Sequence, residues 1–250
     1  MLKFKKKHTI SIGISLLIVV LLALGFNNKN IISTISKNKK IPIYSVDTKD
    51  KKVAISFDVN WGEDNTPKIL DILDKHKVKC SFFLMGGWVE KYPDKVKAIH
   101  ERGHEIGNHS NNHPDMTKVS NEKIINEIAV TDAKIMSVTG EKPKLFRFPS
   151  GAYNDKAIEC VESTNHIPIQ WDVDSIDWKE QGAKAEYERV IKKTKPGSIL
   201  LFHNNAKYTP DNLDKIIEKL KSEGYTFVNI SELIYKDNYE IDSTGRQIKK

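Results

Sequence analysis

Cysteine is almost absent: Cys80 and Cys160 are the only two in 250 residues. Cys80 sits in the apolar strand pattern Lys79-Cys-Ser-Phe-Phe-Leu-Met85, and Cys160 in the helix pattern Ala157-Ile-Glu-Cys160. Each reads as a small buried hydrophobe. Export would permit a disulfide, but nothing in their spacing calls for one. Acidic residues are missing from positions 1–46, which hold eight lysines. The net charge of +7 therefore belongs to that segment, and without those lysines residues 47–250 carry a net −1. A nearly neutral folded part excludes the basic surface that nucleic-acid binding requires. No internal repeat occurs, and no break in composition marks a second folded domain. The length suits one sizeable domain with an appendage.

The appendage comes first. Lys3, Lys5, Lys6 and Lys7 precede an apolar run from Ile10 to Phe26 that only Ser and Gly interrupt. As a helix such a run spans roughly 25 Å, just short of a hydrocarbon core. The basic flank stays cytoplasmic, so the chain beyond the apolar run is exported. Ala23-Leu-Gly25 is a weak small-x-small cleavage site, and the apolar run is long for a signal peptide. A retained membrane anchor is the favoured reading over a cleaved signal. The expected organisation is a signal-anchor or signal peptide at 1–26, a polar linker at 27–40, a folded domain at 41–235 and a disordered polar tail at 236–250.

The folded part alternates strand and helix patterns. Ile41–Val46 and Lys52–Val59 read as two strands of a hairpin across Asp47-Thr-Lys-Asp50. Thr66-Pro67 and Thr209-Pro210 are helix starts with Pro at the first helical position. Further strands are expected at 79–85, 104–110, 145–149, 167–173, 198–203 and 225–230. Helices are expected at 88–102, 120–138, 154–164 and 183–194. Strands separated by helices imply a parallel sheet with right-handed crossovers. Because polar residues collect just after the strands, a closed or nearly closed barrel is the expected architecture.

Those polar residues carry the chemistry. Val53-Ala-Ile-Ser-Phe-Asp58 is a buried strand that ends in a carboxylate. His109-Ser-Asn-Asn-His113 follows the third strand of the alternation, and histidines four apart can face one metal ion if the segment turns. No Glu follows the first His, so this is not the zincin pattern. Arg147 ends another strand, where it could orient a carboxylate. The Pro149-Ser-Gly151 turn behind it could present a backbone N–H to a substrate oxygen. Trp171-Asp-Val-Asp174-Ser-Ile-Asp177-Trp178 places three acids and two tryptophans at one strand end, and Leu200-Leu-Phe-His203 ends the next. Alone, each has an ordinary structural reading. Their coincidence at five strand ends does not.

The order Ser-Phe-Asp58, His109-Ser-x-x-His113, Arg147-x-Pro-x-Gly151, Asp174-x-x-Asp177-Trp178 and Leu201-x-His203 resembles the polysaccharide deacetylases of carbohydrate esterase family 4, the NodB-homology domain. The resemblance covers about residues 50–234. The short, N-terminally anchored form is most similar to the sporulation-type members. It implies a distorted (β/α)7 barrel that removes N-acetyl groups from peptidoglycan or related amino sugars, outside the cytoplasm, as a monomer. It implies a divalent metal, zinc by expectation, on His109 and His113. Asp58 would be the general base and Arg147 the residue that holds it. His203 would be the general acid, tuned by Asp177. Ser150 would stabilise the oxyanion through its backbone N–H, and Trp178 and Leu201 would line the substrate site. One departure is chemical: Val59 stands where the family has its third metal ligand, an acid. Asn60, Glu63 and Asp64 are candidate substitutes. Ser150 also replaces an aromatic residue. Val59 leaves a second reading, a glycan-binding member with little or no catalysis.

Overall fold

Strand β2 (Lys52–Val59) lies at the centre of the sheet, because every residue from Val53 to Val59 is buried and neither face meets water. Such a strand belongs in a parallel sheet covered on both sides. The computed structural model describes residues 39–60 and 65–250. The expected anchor and nearly all of the linker lie outside the described residues. Among those described, no helix is long and apolar enough to cross a membrane.

The other strands are β1 (Ser45–Val46), β3 (Ser81–Leu84), β4 (Glu105–Asn108), β5 (Leu145–Phe146), β6 (Ile167–Pro168), β7 (Val173–Asp174), β8 (Ile199–His203), β9 (Thr226–Phe227), β10 (Tyr239–Ile241) and β11 (Arg246–Lys249). The main sheet runs β6-β5-β4-β3-β2-β8-β7, with β9 added to β2, and all these pairs are parallel. Its two ends, β6 and β7, are joined by residues 169–172 alone. The sheet is thereby curled upon itself, and the expected barrel holds in that coarser form. The expected strand 167–173 is broken in the middle, and its halves serve opposite ends of the sheet.

Helices α1 (Thr66–His76), α2 (Gly86–Lys91), α3 (Pro93–Glu101), α4 (Asn121–Thr139), α5 (Asp155–Ser163), α6 (Ala183–Lys193), α7 (Thr209–Ser222) and α8 (Ile230–Leu233) connect and cover the strands. The helix expected at 88–102 is two helices, because Pro93 starts α3 and cannot continue α2. Val53, Ile55, Phe57 and Val59 face one apolar cluster, with Leu70, Leu73, Phe82, Phe202, Leu213 and Ile217. Phe57 stacks on Phe82 with ring centroids 5.0 Å apart. Both cysteines are buried and free.

Two expectations are corrected at the C-terminal end. The tail at 236–250 is not disordered: β10 and β11 pair antiparallel, and β11 pairs parallel with β1. The expected hairpin of Ile41–Val46 with β2 does not form, since β1 belongs to this small sheet. The physical reason is polar satisfaction at long range. Gln247 is fully buried and exchanges two 2.7 Å hydrogen bonds with the backbone of Tyr235. Arg246 pairs with Asp47. Asp242 accepts from Thr244 and Arg246 to close the turn, and Gly245 takes φ +82° there. Local polarity reads as solvent exposure, but the Asp47 partner lies almost two hundred residues away.

Candidate active site

The register of the sheet builds the site. Asp58 is the penultimate residue of β2 and the Cα partner of His203, which ends β8. In-register neighbours on parallel strands point their side chains the same way. Both line one pocket of ≈ 420 Å³, with Asn60, His113, Ser150, Trp171, Asp174, Trp178, Leu201 and Asn205. A larger open groove of ≈ 670 Å³ lies between α6 and α7, but neither Asp58 nor His203 lines it.

Asp58 Oδ1 accepts from Arg147 Nη1 at 2.9 Å, and both residues are buried. The guanidinium also donates to the Gln170 carbonyl at 3.2 Å and lies 4.0 Å from the centre of the Phe83 ring. Burial pushes the Asp58 carboxyl up, but His109, Arg147 and His203 together outweigh it and hold it below the usual range. Asp58 is therefore an anion at neutral pH.

His109 is fully buried, and its Nδ1 donates to the Arg147 carbonyl at 2.9 Å. That bond fixes the tautomer and leaves a lone pair on Nε2. Nε2 has no hydrogen-bond partner and lies 3.5 Å from Asp58 Oδ2. Burial lowers the His109 pKa to about 4 despite the nearby carboxylate, so no proton bridges this gap at neutral pH. A lone pair facing a carboxylate oxygen suits a cation between them. His113 adds a second imidazole, its ring 5.0 Å from that of His109, and burial lowers its pKa too. The buried Asn60 Oδ1, which like His109 Nε2 has no hydrogen-bond partner, is a further donor atom at the same pocket. Two imidazoles and neighbouring oxygens are donor types that suit a divalent metal.

Val59 turns away from this set. Strand alternation puts Asp58 and Asn60 on the pocket and Val59, fully buried, in the apolar cluster with Leu84 and Trp88. Glu63 and Asp64 lie outside the described residues.

His203 Nδ1 is 2.7 Å from Asp177 Oδ1, and its backbone N–H donates to Asp177 Oδ2 at 2.7 Å. Burial would lower the His203 pKa, but the bond to Asp177 and its charge raise it above the ordinary histidine value. Ser150 takes the left-handed conformation, φ +54°, inside the turn Pro149–Gly151. Trp178 is 57% exposed at the mouth, and Leu201 is buried below it.

Sequence reasoning missed the residues that hold the histidine loop. From α4, the buried Glu127 accepts from the backbone N–H groups of Asn111 and Asn112 at 2.9 and 2.7 Å. Asn108 donates to Asp132 at 2.8 Å and accepts from Ser110 N–H. The signal in the sequence was two acids, Glu127 and Asp132, on the apolar side of a helix.

Burial of neutral histidines makes the fold acid-sensitive. His104 and His109 titrate at about 4 in the fold against 6.5 unfolded, worth about 3 kcal/mol each at most. The unfolded chain binds more protons between these values, so stability falls as pH drops from 6.5 towards 4. His203 has a raised pKa and contributes oppositely, but its contribution is complete below 6.5 and offsets nothing in that window. Urea unfolding at pH 7, 5.5 and 4.5 is expected to show a progressive loss. A flat profile would show that these histidines are solvated.

A family profile described as "Polysaccharide deacetylase" matches residues 45–168. The chain is 33% identical over 204 residues to the peptidoglycan-N-acetylmuramic acid deacetylase PdaA of Bacillus subtilis, covering 80% of this chain and 78% of PdaA. It is 38% identical over 195 residues to the peptidoglycan-N-acetylglucosamine deacetylase PgdA of Listeria monocytogenes, covering 78% of this chain and 41% of PgdA. Among solved structures, BA3943 of Bacillus anthracis, described as a CE4 family pseudoenzyme, is 38% identical with a TM-score of 0.74. That match covers 77% of this chain and 68% of BA3943.

Proposed function

The chain belongs to the polysaccharide deacetylase family, and on that premise we propose that it hydrolyses N-acetyl groups of peptidoglycan amino sugars. The observation that carries the proposal is the pair of opposed proton carriers abreast on β2 and β8. Asp58, kept ionised by Arg147, accepts a proton from the attacking water. His203, kept protonated by Asp177, delivers a proton to the departing amine as the C–N bond breaks. The backbone N–H of Ser150 and the exposed face of Trp178 orient the acetamido group and the sugar. His109 Nε2, His113 and Asn60 Oδ1 would hold a divalent metal, zinc by expectation. When bound, it polarises the amide carbonyl and acidifies water.

The basic and apolar N-terminal stretch extends the proposal to action outside the cytoplasm, at the membrane. On the resemblance alone, the setting proposed is wall or spore-cortex maturation. A second reading, glycan binding with little catalysis, is favoured by one observation, the burial of Val59 in the apolar cluster. Acetate release from N-acetylated muropeptides and chitooligomers, with zinc and with chelator, separates the two. Release that needs metal supports hydrolysis. Glycan binding without release on any of these substrates supports the second reading.

Asn60 is the position at which to complete the ligand set. Asn60→Asp puts a charged oxygen on the pocket side, where carboxylate ligation favours a divalent ion. Zinc affinity by calorimetry is expected to rise at least about tenfold, or about 1.4 kcal/mol. Unchanged affinity would remove residue 60 from the ligand set.

A further inference from the structure

The His203–Asp177 pair continues into the protein beyond Asp177. Asp177 Oδ2 lies 3.0 Å from Thr209 Oγ1, at the start of α7. The same hydroxyl lies 3.1 Å from Oε1 of Glu186 on α6. Glu186 is 5% exposed, and its second oxygen has no hydrogen-bond partner. A threonine hydroxyl carries one proton and cannot donate to two carboxylates at once. With both acids ionised, one of these two contacts would be oxygen against oxygen without a hydrogen. It would also set two like charges in a site shielded from water, which is costly. One carboxyl must therefore carry a proton.

Asp177 is the ionised one. It accepts from the His203 N–H, the Trp178 N–H and the His203 ring. Glu186 has weaker support, side-chain hydrogen bonds from Asn212 and Thr209 with no backbone N–H among them. It is faced by Asp177 and by Thr209 and Asn212 of α7, and no cation is among them. Burial, then the Asp177 charge, push its pKa up to about 7.

We propose that Glu186 is a positioning residue for His203: as a neutral acid it donates its proton to Thr209 Oγ1, which commits the Thr209 proton to Asp177. When Glu186 ionises, it adds a second negative charge behind Asp177, and His203 holds its proton more tightly. The direct mechanism has no use for Glu186, whose carboxyl is linked to Asp177 through the Thr209 hydroxyl. The consequence for catalysis rests on the reading of His203 as the acid, but the coupling itself can be measured without turnover.

The experiment compares the full chain with Glu186→Gln. The Gln amide can still donate to Thr209 Oγ1, so fold and contacts are kept, but it cannot ionise. Ring-nitrogen NMR is expected to give His203 a pKa lower by at least about half a pH unit in the variant, since a charge several ångströms away is removed. Infrared spectra at pH 6 are expected to show a buried protonated-carboxyl C=O band in the wild type and none in the variant. The alkaline limb of acetate release should move with the NMR pKa. A purely structural Glu186 would alter stability and leave the His203 titration in place. An identical His203 pKa in both proteins, or a band that survives Glu186→Gln, overturns the proposal. Absence of acetate release from the wild type sinks the deacetylase reading and leaves the NMR and infrared tests standing.

Discussion

His203→Ala is expected to lower acetate release by about 10²–10⁴-fold, the usual range for a positioned acid, and to leave the fold intact. The first half follows from proton supply. An amine leaving an amide must be protonated as the C–N bond breaks, and His203 is the pocket residue held protonated by a carboxylate partner. The second half follows from what Asp177 keeps. Without the imidazole it still accepts from the backbone N–H groups of residues 203 and 178 and from Thr209. Asp177 loses its cationic partner but keeps these three donors, so the circular dichroism spectrum should match the wild type while the stability falls by about 1–3 kcal/mol. Acetate release within threefold of the wild type would place the acid elsewhere.

Arg147→Met is expected to have the opposite profile, a large effect on stability itself. Arg147 is the largest fully buried side chain among the described residues, and its guanidinium is the permanent cation on Asp58. Removing one partner of a buried pair strands the other charge and costs about 3–5 kcal/mol. Methionine fills much of the space against Phe83 and Trp171, so the loss is electrostatic more than steric. The deficit should shrink at low pH, because Asp58 can then take up a proton. It should also shrink in the double variant Asp58→Asn/Arg147→Met, where no charge remains to be stranded. Urea unfolding of the wild type, the two single variants and the double variant measures both effects. A double variant no more stable than Arg147→Met would mean that packing, not charge pairing, is what Arg147 supplies.

These two residues also show where reading the sequence stops. Strand ends at Asp58, Arg147 and His203 were readable, because a buried parallel strand is a short apolar run and its last polar residue stands out. The alternation of strands with helices was readable for the same reason. Both depend on periodicity within a few residues. The partition of roles at positions 58 to 60 was not readable. From the motif, residue 59 should bear the ligand. In the fold, alternation turns Val59 to the helices and gives the pocket Asp58 and Asn60.

Glu127 and Glu186 are easily passed over for a different reason. On a helix pattern an acid reads as solvated surface, and only the packing of α4 against the histidine loop, or of α6 beside Thr209, makes it a buried acceptor. The ordered tail belongs with them, since Gln247 is satisfied by Tyr235 and Arg246 by Asp47. By itself the sequence determined which segments are strands and helices, which residues stand at the strand ends, and which family they match. Those properties are set by local hydrophobic period and turn chemistry. Register decided that Asp58 stands abreast of His203, that His109 presents a lone pair to Asp58, and that Glu186 reaches Thr209. Each of those contacts joins side chains distant in the chain, and their hydrogen-bond partners exist only once the sheet has curled and the helices have packed.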